Sequence, residues 1–237
     1  MDRVTVVIDP QFNGPPGSGH GGYSCGAAAA LVEGPVAEVT LRRPPPIGVE
    51  LAVARDGDVA SLLHYGELVA SARPAALEPG GPEPVGLEQA AGASARFAWE
   101  HDHPFPTCFG CGPERDPAGA LRLFCGPVGD GRFAVPWTPP DWVGRDGSVD
   151  PVFVWAALDC PSSAPAHGTI DAPVVLGRLT VALEGPVAVG APHVIQSWLE
   201  RTDGRKRHTG VALFTADGER RASGRAVWVE LAQPLGA

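Results

Sequence analysis

The chain has 237 residues, 44% of them hydrophobic and 19% charged, which supports one large or two ordinary domains and excludes gross disorder. A formal net charge of −9 argues against broad nucleic-acid binding, which needs an excess of Lys and Arg, but leaves room for a small basic pocket. Gly 31 and Pro 26 together make up about a quarter of the residues, a density of turn formers that favours many short strands over a helical bundle.

Residues 1–10, MDRVTVVIDP, carry charges and a Pro where a secretory leader needs an apolar run. No apolar segment approaches the roughly 20 residues that span a bilayer. Together with an odd number of cysteines, five, this predicts a cytoplasmic protein with reduced thiols and no membrane partner.

In chain order, VTVVI reads as a strand, FNGPPGSGHGG as a loop, and YSCGAAAALVE as a short helix of small residues ending at Gly34–Pro35. AEVTLRR, GVELAVARDGD, VASLLHYG and ELVASARP follow, apolar-rich runs cut by Pro, Gly and Asp-Gly, as in an antiparallel sheet. The stretch LEPGGPEPVGLEQAAGAS has no period and reads as a linker with at most one helical turn. Beyond it, LRLFCG and GRFAVPW are expected to pair around Gly129–Asp130–Gly131. A loop, TPPDWVGRDGS, leads to a short helix from Asp150, and four more strands follow. The last three are separated by Asp203-Gly204 and Asp217-Gly218, two strong hairpin signals.

Each half therefore runs strand, loop, helix, then about four strands, which an internal duplication explains economically. Laying GHGGYSCGAAA on VDPVFVWAALD with a constant offset of 130 matches His20 with Asp150, Gly21 with Pro151, Gly22 with Val152 and Ala29 with Asp159. The first copy has a glycine-rich lead-in to its helix and no acid. The second has the acid and a stiffened lead-in.

His-Gly-Gly followed by an acid nine positions after the His resembles the signature of hotdog-fold acyl-CoA thioesterases of the phenylacetate-pathway type. CFGCGPERDPAGALRLF, residues 108–124, is similar to a Cys-Phe-Gly-Cys-Gly-Pro segment of many such proteins, and Asn13 stands seven residues before the His, where that family often has an Asn. The resemblance implies an α+β double hotdog, two tandem copies of a helix wrapped by an antiparallel β-sheet. The copies would occupy residues 1–76 and 104–237, with a linker over 77–103. It also implies that each site takes its glycine loop from one copy and its acid from the other. One such site would join His20, Gly21 and Gly22 to Asp159; the other, with Asp150, Pro151 and Val152 opposite Ala29, would be inert.

The implied reaction is hydrolysis of an acyl-CoA thioester, with coenzyme A present only as part of the substrate and no separate cofactor. Amides of Gly21 and Gly22 at a helix N-terminus can face a developing oxyanion. Asp159 would activate water or attack directly, Asn13 would position the water or the loop, and Ser163 would reach the water or carboxylate if the helix ran past Pro161. Arg42 and Arg43, with Arg205, Lys206 and Arg207, are local cations suited to the coenzyme's phosphates. Trp155, one turn before Asp159, is placed to touch the acyl group. Because a double hotdog already pairs two modules, either a monomer or a homodimer fits.

Each residue also has a structural reading. Asp159 can be a helix-end carboxylate beside Pro161, and Asp150–Pro151 an N-cap with a first-turn proline. His20 can anchor its loop, Gly21 and Gly22 can serve tight helix packing, and the arginines can be solvated turn charge. Cys108 and Cys111 form a CxxC, which marks zinc or a redox pair in some proteins. A structural zinc needs four ligands, and no second CxxC or finger-spaced His pair is present, so packing is favoured and no metal is expected. Cys25, Cys125 and Cys160 read as small buried apolar residues. Two other functions stand beside hydrolysis. One is acyl-CoA or acyl-chain binding without turnover. The other is a hydratase, whose closely spaced Asp and His the pair Asp159 and His167 fits poorly.

Overall fold

The computed structural model describes residues 4–78, 80–169 and 172–231. The outermost residues of the two expected copies, 1–3 and 232–237, lie outside it. The first half contributes β1 (Thr5–Val7), α1 (Gly21–Ala29), β2 (Val36–Leu41), β3 (Glu50–Asp56), β4 (Val59–His64) and β5 (Glu67–Pro74). A helix, α2 (Leu87–Ser94), stands in the connecting stretch. The second half contributes β6 (Gly126–Gly129), β7 (Arg132–Trp137), a small ribbon of β8 (Gly144–Arg145) and β9 (Ser148–Val149), and α3 (Pro151–His167). It closes with β10 (Val174–Leu183), β11 (His193–Asp203), β12 (Lys206–Thr215) and β13 (Arg220–Glu230).

Eleven strands form one antiparallel sheet in the order β1-β3-β4-β5-β2-β10-β13-β12-β11-β7-β6. Read outward from the centre, the first half runs β2, β5, β4, β3, β1 and the second β10, β13, β12, β11, β7, β6. In both halves the sheet strands that precede the helix in the chain lie outermost and the strand that follows it is central. The sheet is continuous because β2 pairs antiparallel with β10, Val39 opposite Leu179. In β2 the alternation expected of a half-buried strand is visible: Ala37 and Val39 are buried while Glu38 and Thr40 face outward. The predicted hairpins at Asp203-Gly204 and Asp217-Gly218 join β11 to β12 and β12 to β13.

Helix α1 packs against β2, β4 and β5, helix α3 against β7 and β10–β13, and the two helices pack on each other. One buried cluster fills both halves, from Leu51 and Leu62 to Leu158, Leu179, Ile195 and Leu213. Among the described residues no helix is long and apolar enough to cross a membrane.

Three expectations are corrected. Residues 121–125 are not a strand: the Leu121 and Leu123 amides donate to Phe109 and Gly110 carbonyls, so this stretch is clipped to the CFGCG loop instead of the sheet. The connecting stretch holds more than a single turn, since Ala90 and Ala93 of α2 are buried beside Ala134 and Val194.

The third concerns α3, which does not stop at Pro161 but runs 17 residues through Pro161 and Pro165. A helix-interior proline lacks the N–H that would serve the carbonyl four residues earlier. Here the Pro161 carbonyl, orphaned by Pro165, accepts a hydrogen bond from the Ser197 hydroxyl at 2.7 Å. Ser162 Oγ donates to the Asp159 carbonyl at 2.7 Å and accepts from Trp228 Nε1 at 3.0 Å. The sheet, through Ser197 and Trp228, supplies the bonds that keep the helix intact past its prolines.

Candidate functional site

His20 is the N-cap of α1, its Nδ1 accepting the Tyr23 N–H at 3.2 Å, and Asp150 is the N-cap of α3 with Pro151 in the first turn. The two residues matched at an offset of 130 thus hold equivalent positions, although the Asp150 side chain makes no capping bond. Where the helices cross, α1 presents its smallest residues. A Cβ on Gly22 would meet Asp159 Cβ and the Trp155 carbonyl oxygen, each at 2.5 Å. Removing the side chain lets α3 approach until backbone and carboxylate touch.

The result is a direct bond between the halves: the Gly22 N–H donates to Asp159 Oδ2 at 2.6 Å. His20 Nδ1 lies 3.4 Å from the same oxygen. Asp159 is 3% exposed and His20 1%. The other carboxylate oxygen, Oδ1, is buried and has no hydrogen-bond partner among the described residues. Burial pushes the Asp159 carboxyl above its ordinary value, and this outweighs the opposing pull of His20 and the Gly22 amide. Burial alone would lower the His20 imidazole, but the Asp159 carboxylate and the Cys108 thiol carry it above its ordinary value.

Beside this pair lies a cavity of about 540 Å³ between the halves, lined by Gly21, His20 and Asp159 on one side and by apolar walls that include Phe97, Trp99, Leu176 and Trp228. That volume and an apolar lining with a few convergent polar groups are typical of small-molecule sites. The Gly21 N–H, at the open end of α1, has no acceptor among the described residues.

Of the residues expected here, His20, Gly21, Gly22 and Asp159 come together, and the last is a mid-helix acid, not one at a helix end. The Gly22 amide is committed to Asp159, so of the two amides expected to face an oxyanion only that of Gly21 is free. Asn13 does not approach the carboxylate. Its Nδ2 donates to the Thr107 carbonyl at 3.1 Å and its Oδ1 accepts from Arg115, clipping the first-half loop to residues 105–115. Ser163 lines the cavity, but its hydroxyl donates to the Cys160 carbonyl at 2.7 Å, a local helix bond.

The basic residues divide. Arg42 and Arg43 line the cavity, and Arg43 also pairs with exposed Glu67. Arg205, Lys206 and Arg207 do not line it. Arg207 is buried and bonded to Thr169 Oγ1 at 2.9 Å and the Gly204 carbonyl at 2.8 Å, a structural role. Trp155 does not line the cavity either; it is buried beneath Gly22 and Gly26, and the aromatic walls come from Trp99 and Trp228 instead. His167, at the end of α3, lines the cavity with an Nδ1 that has no partner among the described residues. Burial, with His103 nearby, lowers its pKa to about 4, so it is a neutral imidazole in the wall.

The thiols were the least legible part. Cys160, expected as an apolar filler, faces the cavity with its Sγ 3.2 Å from His20 Nε2 and 3.8 Å from Cys108 Sγ. Hydrogen bonds from Cys111 and Cys160 hold the Cys108 thiol well below its ordinary value, while Cys111 and Cys160 are raised. Cys25 and Cys125 are buried, as expected.

No protein-family model matches the chain, and no curated protein matches it. Solved structures do. A tesB protein of Mycobacterium avium subs paratuberculosis matches at 13% identity and a TM-score of 0.64, over 97% of this chain and 93% of that one. A protein assigned as a thioesterase from Novosphingobium aromaticivorans matches at 16% and 0.63, over 97% and 96%. One assigned as a thioesterase II from Thermobifida fusca matches at 16% and 0.62, over 98% and 93%. At such identities the likeness speaks for the fold alone, and the chain has the α+β hotdog fold of these thioesterase structures.

Proposed function

We propose that the chain hydrolyses an acyl-CoA thioester at a single site composed of the α1 N-terminus and α3, which are the active remnants of an internal duplication. The observation that carries this reading is the divided state of Asp159, which lines the cavity: Oδ2 is anchored by Gly22 while Oδ1 is buried without a partner among the described residues. A buried polar atom left unbonded costs about 1–3 kcal/mol, more when charged, and such a cost is expected where the atom has work to do.

The acyl chain occupies the apolar part of the cavity and the thioester carbonyl oxygen receives the Gly21 N–H. Water held by the Asp159 carboxylate attacks the carbonyl carbon as Asp159 accepts its proton. The C–S bond then breaks, and Asp159 returns the proton to the departing thiolate, giving a carboxylic acid and free coenzyme A. Desolvation makes Asp159 a stronger base than a carboxylate in water. Arg42 and Arg43 are the cations positioned for the coenzyme's phosphates. In the equivalent frame, Asp150 and Ala29 do not line the cavity, in keeping with one working site per chain.

The test is release of free thiol from a panel of acyl-CoAs by the purified chain. Hydrolysis that vanishes in Asp159→Ala supports the assignment; hydrolysis that survives it removes Asp159 from the mechanism. Calorimetry that detects acyl-CoA binding with no thiol release would make the chain a binding protein of the same fold.

A further inference from the structure

Two thiols 52 residues apart in the chain meet in the cavity wall. Cys108 stands on the loop Cys108-Phe-Gly-Cys111-Gly and Cys160 on α3, their Sγ atoms are 3.8 Å apart, and both residues line the cavity. The fold holds the loop in this place. The Phe109 N–H donates to the Asn13 carbonyl at 2.8 Å, and the Gly110 carbonyl accepts the Leu123 N–H at 2.8 Å. Gly110 permits the approach, since a Cβ there would meet Cys160 Sγ at 2.5 Å and His20 Nε2 at 2.6 Å.

Sulfurs at this separation are in contact. They need to close by roughly 1.8 Å to reach the disulfide length of about 2.05 Å. The other thiols are occupied elsewhere. Cys111 Sγ lies 3.3 Å from His103 Nε2, Cys125 Sγ lies 4.0 Å from Ser197 Oγ, and Cys25 is buried.

The surroundings of the pair favour the reactive, deprotonated form of one sulfur. His20 Nδ1 accepts the Tyr23 N–H at 3.2 Å, which places the imidazole proton on Nε2, and Nε2 is 3.2 Å from Cys160 Sγ. The imidazole is therefore a donor to the sulfur pair, and such a donor stabilises a thiolate. Hydrogen bonds from Cys111 and Cys160 also hold the Cys108 thiol well below its ordinary value.

We propose that Cys108 and Cys160 are an oxidisable dithiol site that takes a hydroperoxide from the cavity and closes to a disulfide tying the 108–111 loop to α3 beside Asp159. The Cys108 thiolate attacks a peroxide oxygen. An S–O bond forms, the O–O bond breaks, and the departing hydroxide takes up the proton that Cys108 had released. The Cys160 sulfur then attacks the Cys108 sulfenic acid. The S–S bond forms, the S–O bond breaks, and the Cys160 proton leaves with the hydroxide as water. Two thiols lose two electrons and the peroxide gains them, so hydrogen peroxide yields two waters. The site does not depend on thioester hydrolysis, and either reading can fail without the other.

Peptide mapping of the full chain tests this. The reduced chain, freed of reductant and treated with hydrogen peroxide, should lose two of its five thiols and show one Cys108–Cys160 link by mass spectrometry with fragmentation. Dithiothreitol should restore all five. Cys160→Ser should leave Cys108 unlinked and open to dimedone, the reagent for sulfenic acids, whereas Cys125→Ser should form the same link as the parent. If the variants do not fold, mapping of the wild-type chain still decides. A folded chain that keeps five free thiols under peroxide overturns the proposal. So does a link of Cys111 to either sulfur in place of the Cys108–Cys160 bond, a bond that forms only in urea, or a folded Cys160→Ser that still loses two thiols.

Discussion

Asp159 Oδ2 accepts the main-chain N–H of Gly22 at 2.6 Å, a bond between residues 137 apart that ties the second half's long helix to the first half's glycine loop. The same carboxylate leaves Oδ1 buried and, among the described residues, unbonded. Its energetic cost and its chemical use are therefore separable by substitution. Asp159→Asn is expected to lower kcat for thioester hydrolysis by about 10²–10⁴, the usual worth of a general base. It is also expected to raise the melting temperature near neutral pH. Burial raises this carboxyl's pKa, so the native chain binds its proton more tightly than the unfolded chain, and stability falls as pH rises through the folded pKa. The neutral amide escapes that loss. Thermal melts beside steady-state rates check both halves of the prediction, and an unchanged kcat would sink it.

The acidic limb of the pH–rate profile should report the same group. With Asp159 as base, kcat/KM rises with pH and levels off only above the ordinary carboxylate value of 3.8, because burial displaces the titration upward. A profile already flat at the ordinary carboxylate pKa would rule Asp159 out as the base.

Close contact of the helices makes Gly22 the most sensitive position on α1. Gly22→Ala pushes a methyl into Asp159 Cβ and the Trp155 carbonyl, and such overpacking typically costs about 1–3 kcal/mol. Gly119 has nothing within 4 Å of the corresponding position, and Gly119→Ala should fall within about 0.5 kcal/mol of the parent. Urea denaturation of the two variants measures the contrast.

Removal of the Ser197 hydroxyl should expose the dependence of α3 on the sheet. Ser197→Ala leaves the Pro161 carbonyl without its donor, since Pro165 has no N–H to offer. A buried carbonyl so deprived costs about 1–3 kcal/mol. Replacing Pro165 by Ala in the same chain restores a backbone donor and should recover part of the loss, a coupling that a double-mutant cycle reads directly.

Arg42 and Arg43 should matter to the coenzyme and not to the acyl group. Arg42→Ala is expected to raise KM for an acyl-CoA by about tenfold, the worth of one charge-assisted bond. A short thioester lacking the phosphates should be unaffected. Arg205→Ala and Lys206→Ala, away from the cavity, should leave both values unchanged. Equal effects on the two substrates would assign the cavity arginines to stability instead of phosphate binding.

Most of the strands were legible because their signals are local. Asp-Gly turns and runs of alternating or continuous apolar residues placed β2 to β5 and β10 to β13 within three residues of their observed ends. The constant offset between the halves located the two helix N-caps. Local signals failed where a partner from elsewhere overrode them. Pro161 announces a helix end, but Ser197 and Trp228 support the helix through it. LRLFCG has the composition of a strand, but its amides are claimed by the CFGCG loop.

The sequence by itself determined most of the strands, the starts of α1 and α3, and the complementary distribution of glycines and acid. These depend on contacts within a turn or a hairpin, over which side-chain pattern and backbone freedom decide. Only the tertiary structure decided that the Gly22 amide is spent on Asp159 while that of Gly21 remains free, that Asn13 serves its loop, and that Cys160 belongs with Cys108 and His20. Those relationships span from about 50 to 140 residues of chain. No local propensity encodes them; they arise because the small-residue face of α1 lets α3 pack closely enough to bring groups from three segments into one buried volume.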